Sequence, residues 1–271
     1  MCRWIAYSGP PIFLDSLIFE PEHSLIDQSR HAYQSESPTN GDGFGIGWYA
    51  DRATPGRFRD PLPAWNDENL RSLSGQVCSP LFFAHIRAST GSDSLRTNCH
   101  PFVHENWMFM HNGSIGEFEK VRRDLAFLVA PELFPLLRGT TDSELFFYLL
   151  FSNGLIESPD DALSRTVGLV LNVMQEAKIA APFTMTAAVS NGDQIHALRY
   201  GFDAQAPSLY YSIGMLPGAP NKKSQKEAGN ALLIVSEPLD EDLSNWMSVP
   251  ESHGLLAGDG GVAVTPFKPV D

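Results

Sequence analysis

The second residue of the chain is a cysteine, and the stretch around it, "MCRWIAY", turns apolar within two residues. Removal of Met1 places the Cys2 thiol a few bonds from its own α-amine. That amine titrates at about 7.7 to 8.0 and a free thiol at about 8.5, so the amine can take the thiol proton at little energetic cost. Nucleophile and general base then reside in one residue, as they do in N-terminal threonine enzymes. The competing reading is a small apolar residue that opens a strand.

Three further stretches carry residue types suited to acyl chemistry. In "FFAHIRAST" (residues 82–90) an apolar run stops abruptly at Arg87, Ser89 and Thr90. A guanidinium at a strand end suits bidentate capture of a carboxylate, although an ordinary surface arginine fits the same pattern. In "WMFMHNGSIGEF" (residues 107–118) the Asn112 amide and the Gly113 N–H stand side by side. Such a pair can form an oxyanion hole, worth on the order of 3 kcal/mol per donor; Asn-Gly is equally the commonest hairpin dipeptide. "NGDGFGIGWY" (residues 40–49) sets four glycines among three aromatic residues, a composition for a strand whose backbone is approached closely.

The elements that must position these residues are mostly strands. Runs at 4–7, 45–49, 81–86, 107–111, 184–189, 194–200, 209–213, 231–235 and 262–264 are rich in branched and aromatic residues. "SNGD" between the fifth and sixth predicts a hairpin at Asn191-Gly192. Three helices are predicted. One spans roughly 117–129, with Phe118, Val121, Leu125 and Leu128 on one face. A second starts at "TTDSELFFYLLF", where Thr141 and Glu144 make a capping box and Asp142 lies in the first turn. A third starts at Ser158-Pro159, with Leu163, Val167, Val170, Leu171 and Met174 as its apolar stripe. Hairpin connections with helices grouped between them imply an α+β layered domain. "PGAPNKKSQKEAG" (residues 217–229) reads as an exposed loop.

Taken together and in this order, "MCRWIAY", "NGDGFGIGWY", "AHIRAST", "HNGSIGEF" and "GTTDSE" resemble the class II glutamine amidotransferase domain of the N-terminal-nucleophile hydrolases. The resemblance is nearest to the stand-alone branch with the YafJ-like and EgtC-like proteins, to which "VSEPLD" (residues 235–240) also looks similar. It implies a four-layer αββα sandwich over a single domain, residues 1–271, with Met1 removed in the active form. It implies Cys2 as nucleophile, Asn112 and Gly113 as oxyanion hole, Arg87 and Thr90 for the α-carboxylate of glutamine, and Asp142 for its α-ammonium. The reaction implied is hydrolysis of a γ-glutamyl amide through a thioester, releasing ammonia or an amine, with no cofactor. The longer amidotransferases read approximately His-Thr-Arg-Trp-Ala-Thr-His-Gly around the arginine. Here Ile86, Ala88 and Gly91 replace the Thr, Trp and second His, so a more open mouth and a larger γ-glutamyl amide are expected.

Composition narrows the partners. The 271 residues are 43% hydrophobic, enough for a substantial core. Nineteen basic against 32 acidic residues give a formal charge of -13, which disfavours nucleic acid and anionic membrane surfaces. No apolar run approaches the roughly 20 residues of a membrane span, and no signal-peptide pattern opens the chain. Three cysteines without a CxxC pair fit a reducing compartment, and a cytoplasmic protein is expected. A zinc hydrolase was weighed on His85, His100, His104, His111 and Cys99. Pro101 interrupts the pair in "CHPFVH" and no neighbouring carboxylates complete a site, so no metal is expected. The small-molecule partner is glutamine or a γ-glutamyl amide; a separate synthase enters only if ammonia is the useful product. The alternatives are a non-catalytic module that binds γ-glutamyl ligands, or an amidase for another acyl group, for which Arg87 and Asp142 would have no use.

Overall fold

The computed structural model describes residues 2–31, 39–89, 93–217, 229, 231–258 and 261–270. Thr90 and most of the expected loop at 217–229 lie outside them. The N-terminal run forms strand β1 (Arg3–Phe13). Its side chains alternate: Ile5 and Tyr7 join one core, Trp4 and Ala6 another. Both faces are therefore buried, and the strand reads as continuously apolar rather than as alternating apolar and polar.

Around β1 a seven-stranded sheet assembles in the order β11 (Met247–Ser248), β9 (Tyr210–Ile213), β10 (Leu232–Val235), β1, β4 (Cys78–Ile86), β2 (Phe44–Tyr49), β3 (Gly56–Asp60). A second, six-stranded sheet has the order β13 (Gly261–Pro266), β12 (His253–Gly258), β8 (Ile195–Phe202), β7 (Phe183–Ser190), β6 (Trp107–Ile115), β5 (Phe102–His104). Neighbouring strands in both are antiparallel.

Three apolar clusters define four layers. Trp4, Phe83, Met108, Met110 and Ala188 interlock between the sheets. The outer face of the first sheet packs on α1 (Asp15–Ile18), α2 (Leu25–Arg30) and α3 (Glu68–Ser74) through Tyr7, Leu17, Leu25, Leu70 and Phe82. The outer face of the second packs on α4 (Phe118–Phe127), α5 (Asp142–Ser152) and α6 (Pro159–Glu176) through Phe109, Val121, Phe147, Val167 and Met185. The architecture is the αββα sandwich. α5 is buried almost all round, from Ser143 to Leu150, as expected of a helix apolar on every side.

Several local expectations change. Asn112-Gly113 lies inside β6, not in a turn. The hairpin alternative fails there because β7 pairs along the whole segment, with Asn112 opposite Thr186 and Gly113 opposite Met185. The other Asn-Gly, at 191–192, does turn, with Gly192 at φ +102°. Thr141 caps α5 by accepting from the Glu144 N–H at 3.2 Å. The reciprocal half of the expected box is replaced: the Glu144 carboxylate accepts from the N–H groups of Arg138 and Gly139. It thereby fastens the loop leading into Asp142. Ser158 precedes α6 as expected, but its hydroxyl donates to Asp161 instead of capping backbone. Helices α1 to α3 and strands β3, β5, β11 and β12 were not anticipated; all are short or partly exposed.

Candidate active site

The register of β1 against β4 builds the site. Arg3 is opposite Ile86, so Cys2 comes level with Arg87 where the two strands end. The ladder continues beyond β4, with Arg87 N–H donating to the Gly43 carbonyl at 2.8 Å and Asp42 N–H to the Arg87 carbonyl at 3.1 Å. The glycine-rich segment is thus the third strand of the site. Its glycines answer the expectation of close approach: a Cβ on Gly45 would stand 2.1 Å from the His100 carbonyl oxygen.

Cys2 is half-buried. Its Sγ lies 3.4 Å from the Ala88 N–H, which donates to it, and 3.5 Å from the Ala88 carbonyl. Burial pushes the thiol pKa up, while the Ala88 N–H, the positive N-terminus, Arg87 and Arg3 oppose that rise by stabilising the thiolate. The Cys2 nitrogen donates to Asn112 Oδ1 at 3.1 Å. With Oδ1 so used, the Asn112 amide must present Nδ2 elsewhere. Nδ2 is buried and without a partner among the described residues. A buried unsatisfied donor is costly. One on the side chain that holds the Cys2 nitrogen is what an oxyanion would satisfy. Gly113 has φ +148°, and a Cβ there would stand 2.0 Å from the Thr184 carbonyl oxygen. Only glycine lets β6 approach β7 at this point.

Arg87 is buried, exposing 4% of its surface. Nη1 donates to the Asp42 carbonyl at 3.0 Å and Nη2 to Ser89 Oγ at 3.1 Å, while the Asp42 carboxylate accepts from Ser89 N–H at 2.7 Å. Asp42 therefore orients both the arginine and the turn after it. Asp142, first residue of α5, reaches to the end of β6: Oδ2 accepts from Ile115 N–H at 2.9 Å, and Oδ1 from Ser143 N–H at 2.7 Å and Ser143 Oγ at 3.2 Å. A carboxylate offers about four acceptor sites, so this one keeps capacity for a ligand ammonium. Thr90 lies outside the described residues; Cys2, Arg87, Asn112, Gly113 and Asp142 come together at the end of one sandwich.

Behind the site the histidines line up as neutral, buried groups. His111 Nδ1 contacts Ser143 Oγ at 2.8 Å, and His85 Nε2 contacts the His111 carbonyl at 3.2 Å. Asp142 only accepts, so Ser143 donates to it and His111 Nδ1–H donates to Ser143. His100 stacks on His85 with ring centroids 4.2 Å apart. Burial lowers all three pKa values, that of His85 to about 3. Among the described residues no cluster of His, Cys, Asp and Glu is arranged to hold a metal ion. The sign of the pH effect follows. The unfolded chain takes up these protons below about 6.5 and the folded one does not, so stability is intact above that pH and falls as pH drops towards 3. His85→Gln, which keeps a donor for the His111 carbonyl, is expected to flatten this fall. Urea midpoints of wild type and variant at pH 7 and pH 5 check it; equal losses contradict it.

Sequence reasoning missed Asp42, Ser143, Arg3 and Glu237. Asp42 carried a signal, being the one acid among the glycines of "NGDGFGIGWY". Arg3 carried another: a cation opening a fully buried strand requires a buried counter-ion. Glu237 supplies it, the two forming an ion pair with side chains about 3% exposed.

Comparisons with known proteins bear on the family and the fold. Residues 28–206 match the family model described as class-II glutamine amidotransferases. DUG3 of Saccharomyces cerevisiae, a probable glutamine amidotransferase, is 32% identical across 98% of this chain and 84% of its own length. The gamma-glutamyl-hercynylcysteine sulfoxide hydrolase of Mycolicibacterium smegmatis is 26% identical across 98% of this chain and all of its own. Among solved structures, a glutamine aminotransferase class-II domain protein from Silicibacter pomeroyi superposes with a TM-score of 0.77 at 33% identity, covering both chains fully. A glutamine phosphoribosylpyrophosphate amidotransferase from B. subtilis shares the fold, with a TM-score of 0.62 at 14% identity over 98% of this chain and 49% of its own. With its αββα layers, a family match over more than half its length and a relative 32% identical along nearly all of it, the chain belongs to the class II glutamine amidotransferases.

Proposed function

We propose that the protein, once Met1 is removed, hydrolyses a γ-glutamyl amide through a thioester on Cys2. The observation that carries this is the pairing at Asn112: Oδ1 holds the Cys2 nitrogen, and Nδ2 on the same side chain is a buried donor with no partner among the described residues. Arg87, assisted by Thr90, takes the substrate α-carboxylate, and Asp142 takes its α-ammonium. Two anchors on one end of a flexible substrate fix the side-chain carbonyl against Cys2 and reduce the entropic barrier. The α-amine takes the thiol proton and the sulfur attacks the carbonyl carbon. The oxyanion is held by Asn112 Nδ2 and the Gly113 N–H. Collapse breaks the C–N bond, and the α-ammonium returns its proton to the departing ammonia or amine. Water, deprotonated by the same amine, cleaves the thioester and frees glutamate. No step calls on a cofactor.

An amidase for an uncharged acyl group has no use for Arg87 and Asp142, and a ligand-binding module has none for the thiol. Release of glutamate from glutamine and from γ-glutamyl peptides tests the reading, and turnover of neither contradicts it. Turnover of peptides over glutamine identifies the amine fragment as the useful product. Turnover of glutamine alone points to a separate synthase that receives ammonia. The relatives named as a glutamine amidotransferase and as a γ-glutamyl hydrolase support both substrate types. The three unpaired cysteines support a reducing, cytoplasmic setting, and among the described residues no helix is long and apolar enough to cross a membrane.

Arg87→Lys retains the charge but loses the fork held by Asp42 and Ser89. KM for glutamine is expected to rise about tenfold or more with a smaller change in kcat, since ground state and transition state share the carboxylate contact. Steady-state kinetics check this; an unchanged KM removes Arg87 from the carboxylate site.

A further inference from the structure

A buried ion pair stands directly against the N-terminal residue. Arg3 meets Glu237 through Nη2 and Oε1, and Arg3 Nη1 donates to the Cys2 carbonyl at 2.8 Å. The next residue is tied to the same segment, with Trp4 N–H donating to Ser236 Oγ at 3.1 Å and Ser236 N–H to the Trp4 carbonyl at 3.1 Å. The Glu237 backbone is held by Gln28 of α2. The Gln28 Nε2 donates to the His23 carbonyl at 3.0 Å and to the Glu237 and Pro238 carbonyls at 3.5 Å. The Gln28 carbonyl in turn accepts from Asn40 Nδ2 at 3.3 Å. Asn40 stands two residues before Asp42, whose carbonyl holds Arg87. One network thus reaches both the nucleophile and the arginine.

Stability alone does not account for such a pair, because desolvation of two charges offsets their attraction and apolar replacements are often neutral or stabilising. Position accounts for it. A chain end frays unless tied down, and here the residue at the end must present a thiol with its geometry held to a fraction of an ångström. An apolar side chain at position 3 has no donor for the Cys2 carbonyl. We propose that the Arg3–Glu237 pair positions Cys2 for attack: Arg3 holds its carbonyl, and Glu237 fixes the guanidinium. This rests on the reading of Cys2 as nucleophile. Neither residue touches substrate, so both are positioning residues. The positive charge of Arg3 adds a second contribution, since it favours the thiolate.

The test compares wild type, Cys2→Ala, Glu237→Gln and the apolar double variant Arg3→Met/Glu237→Leu, each read on molecules whose intact mass shows Met1 gone. Three quantities are measured: kcat and KM for glutamate release from glutamine, the rate of Cys2 alkylation by iodoacetamide at neutral pH, and the urea midpoint. Glu237→Gln is expected to lower kcat about tenfold with KM little changed. The double variant is expected to match or exceed the wild-type urea midpoint, yet lose about a hundredfold in kcat and alkylate several-fold more slowly. Wild-type kcat and alkylation in a folded double variant overturn the proposal; if that variant does not fold, the same values in Glu237→Gln overturn it. Full activity in Cys2→Ala instead overturns the nucleophile itself. Inactive Cys2→Ala beside wild-type behaviour of the other variants removes only the positioning role.

Discussion

Cys2→Ala is expected to reduce glutamate release by a factor of about 10⁴ or more while leaving the fold intact, as removal of a covalent nucleophile does elsewhere. Sγ is held by the Ala88 backbone, the nitrogen of the same residue by Asn112, and the carbonyl by Arg3. Neither of the other cysteines lies in this frame: Cys99 is buried against Asp60 and Leu95 carbonyls, and Cys78 is exposed at the start of β4, the end away from Arg87. The same change leaves the core untouched, because Cys2 is only half-buried and precedes β1. Retention of Met1 should be as damaging as loss of the thiol. In that form the nitrogen is an amide whose lone pair is delocalised into the carbonyl and does not accept a proton near neutral pH, so the thiol has no base. Circular dichroism of the variant should superpose on wild type; turnover within tenfold of wild type contradicts the assignment.

The second large effect is expected at Asn112. Asn112→Ala removes the unpaired Nδ2 donor and the acceptor of the Cys2 nitrogen together, and kcat is expected to fall about 10² to 10³-fold, the range for one oxyanion donor. Asn112→Asp separates the two functions. It keeps an acceptor for the α-amine but puts negative charge where the oxyanion forms, so it should be at least as inactive as Asn112→Ala. A carboxylate variant with wild-type kcat contradicts the oxyanion role. Steady-state kinetics at saturating glutamine, with urea midpoints alongside, read the difference between lost chemistry and lost fold. The Asn112 side chain meets the Cys2 nitrogen from within β6, and the residue's backbone pairing with Thr186 does not depend on the side chain. The losses should therefore appear in kcat and not in stability.

Much of this site was legible in the sequence because its parts are local. Arg87 ends an apolar run, Asp142 sits in a capped first turn, and Cys2 follows the initiator; each is visible in a window of a few residues. Asn112-Gly113 was ambiguous for a physical reason. The same dipeptide suits a type I′ turn and a strand that needs a positive-φ glycine, and only pairing with β7, some 70 residues later, decides between them. Contacts between segments distant in sequence were illegible. Nothing local joins Arg3 to Glu237, since that pair exists only once β1 lies beside β10, or Gln28 to Pro238, 210 residues later. The Glu144 carboxylate shows the same limit: its spacing from Thr141 signalled a capping box, but the folded loop offers two backbone N–H groups instead.

A free N-terminal Cys2 is expected to be the covalent nucleophile, and intact mass spectrometry with a glutamine-mimicking diazoketone, which alkylates that thiol with loss of N2, reads it directly. Expected are a starting mass lacking Met1, one adduct per chain, peptide mapping of that adduct to Cys2, and no adduct on Cys2→Ala. A chain that retains Met1 yet turns over glutamine or a γ-glutamyl peptide, or an adduct that persists on Cys2→Ala, would contradict that role.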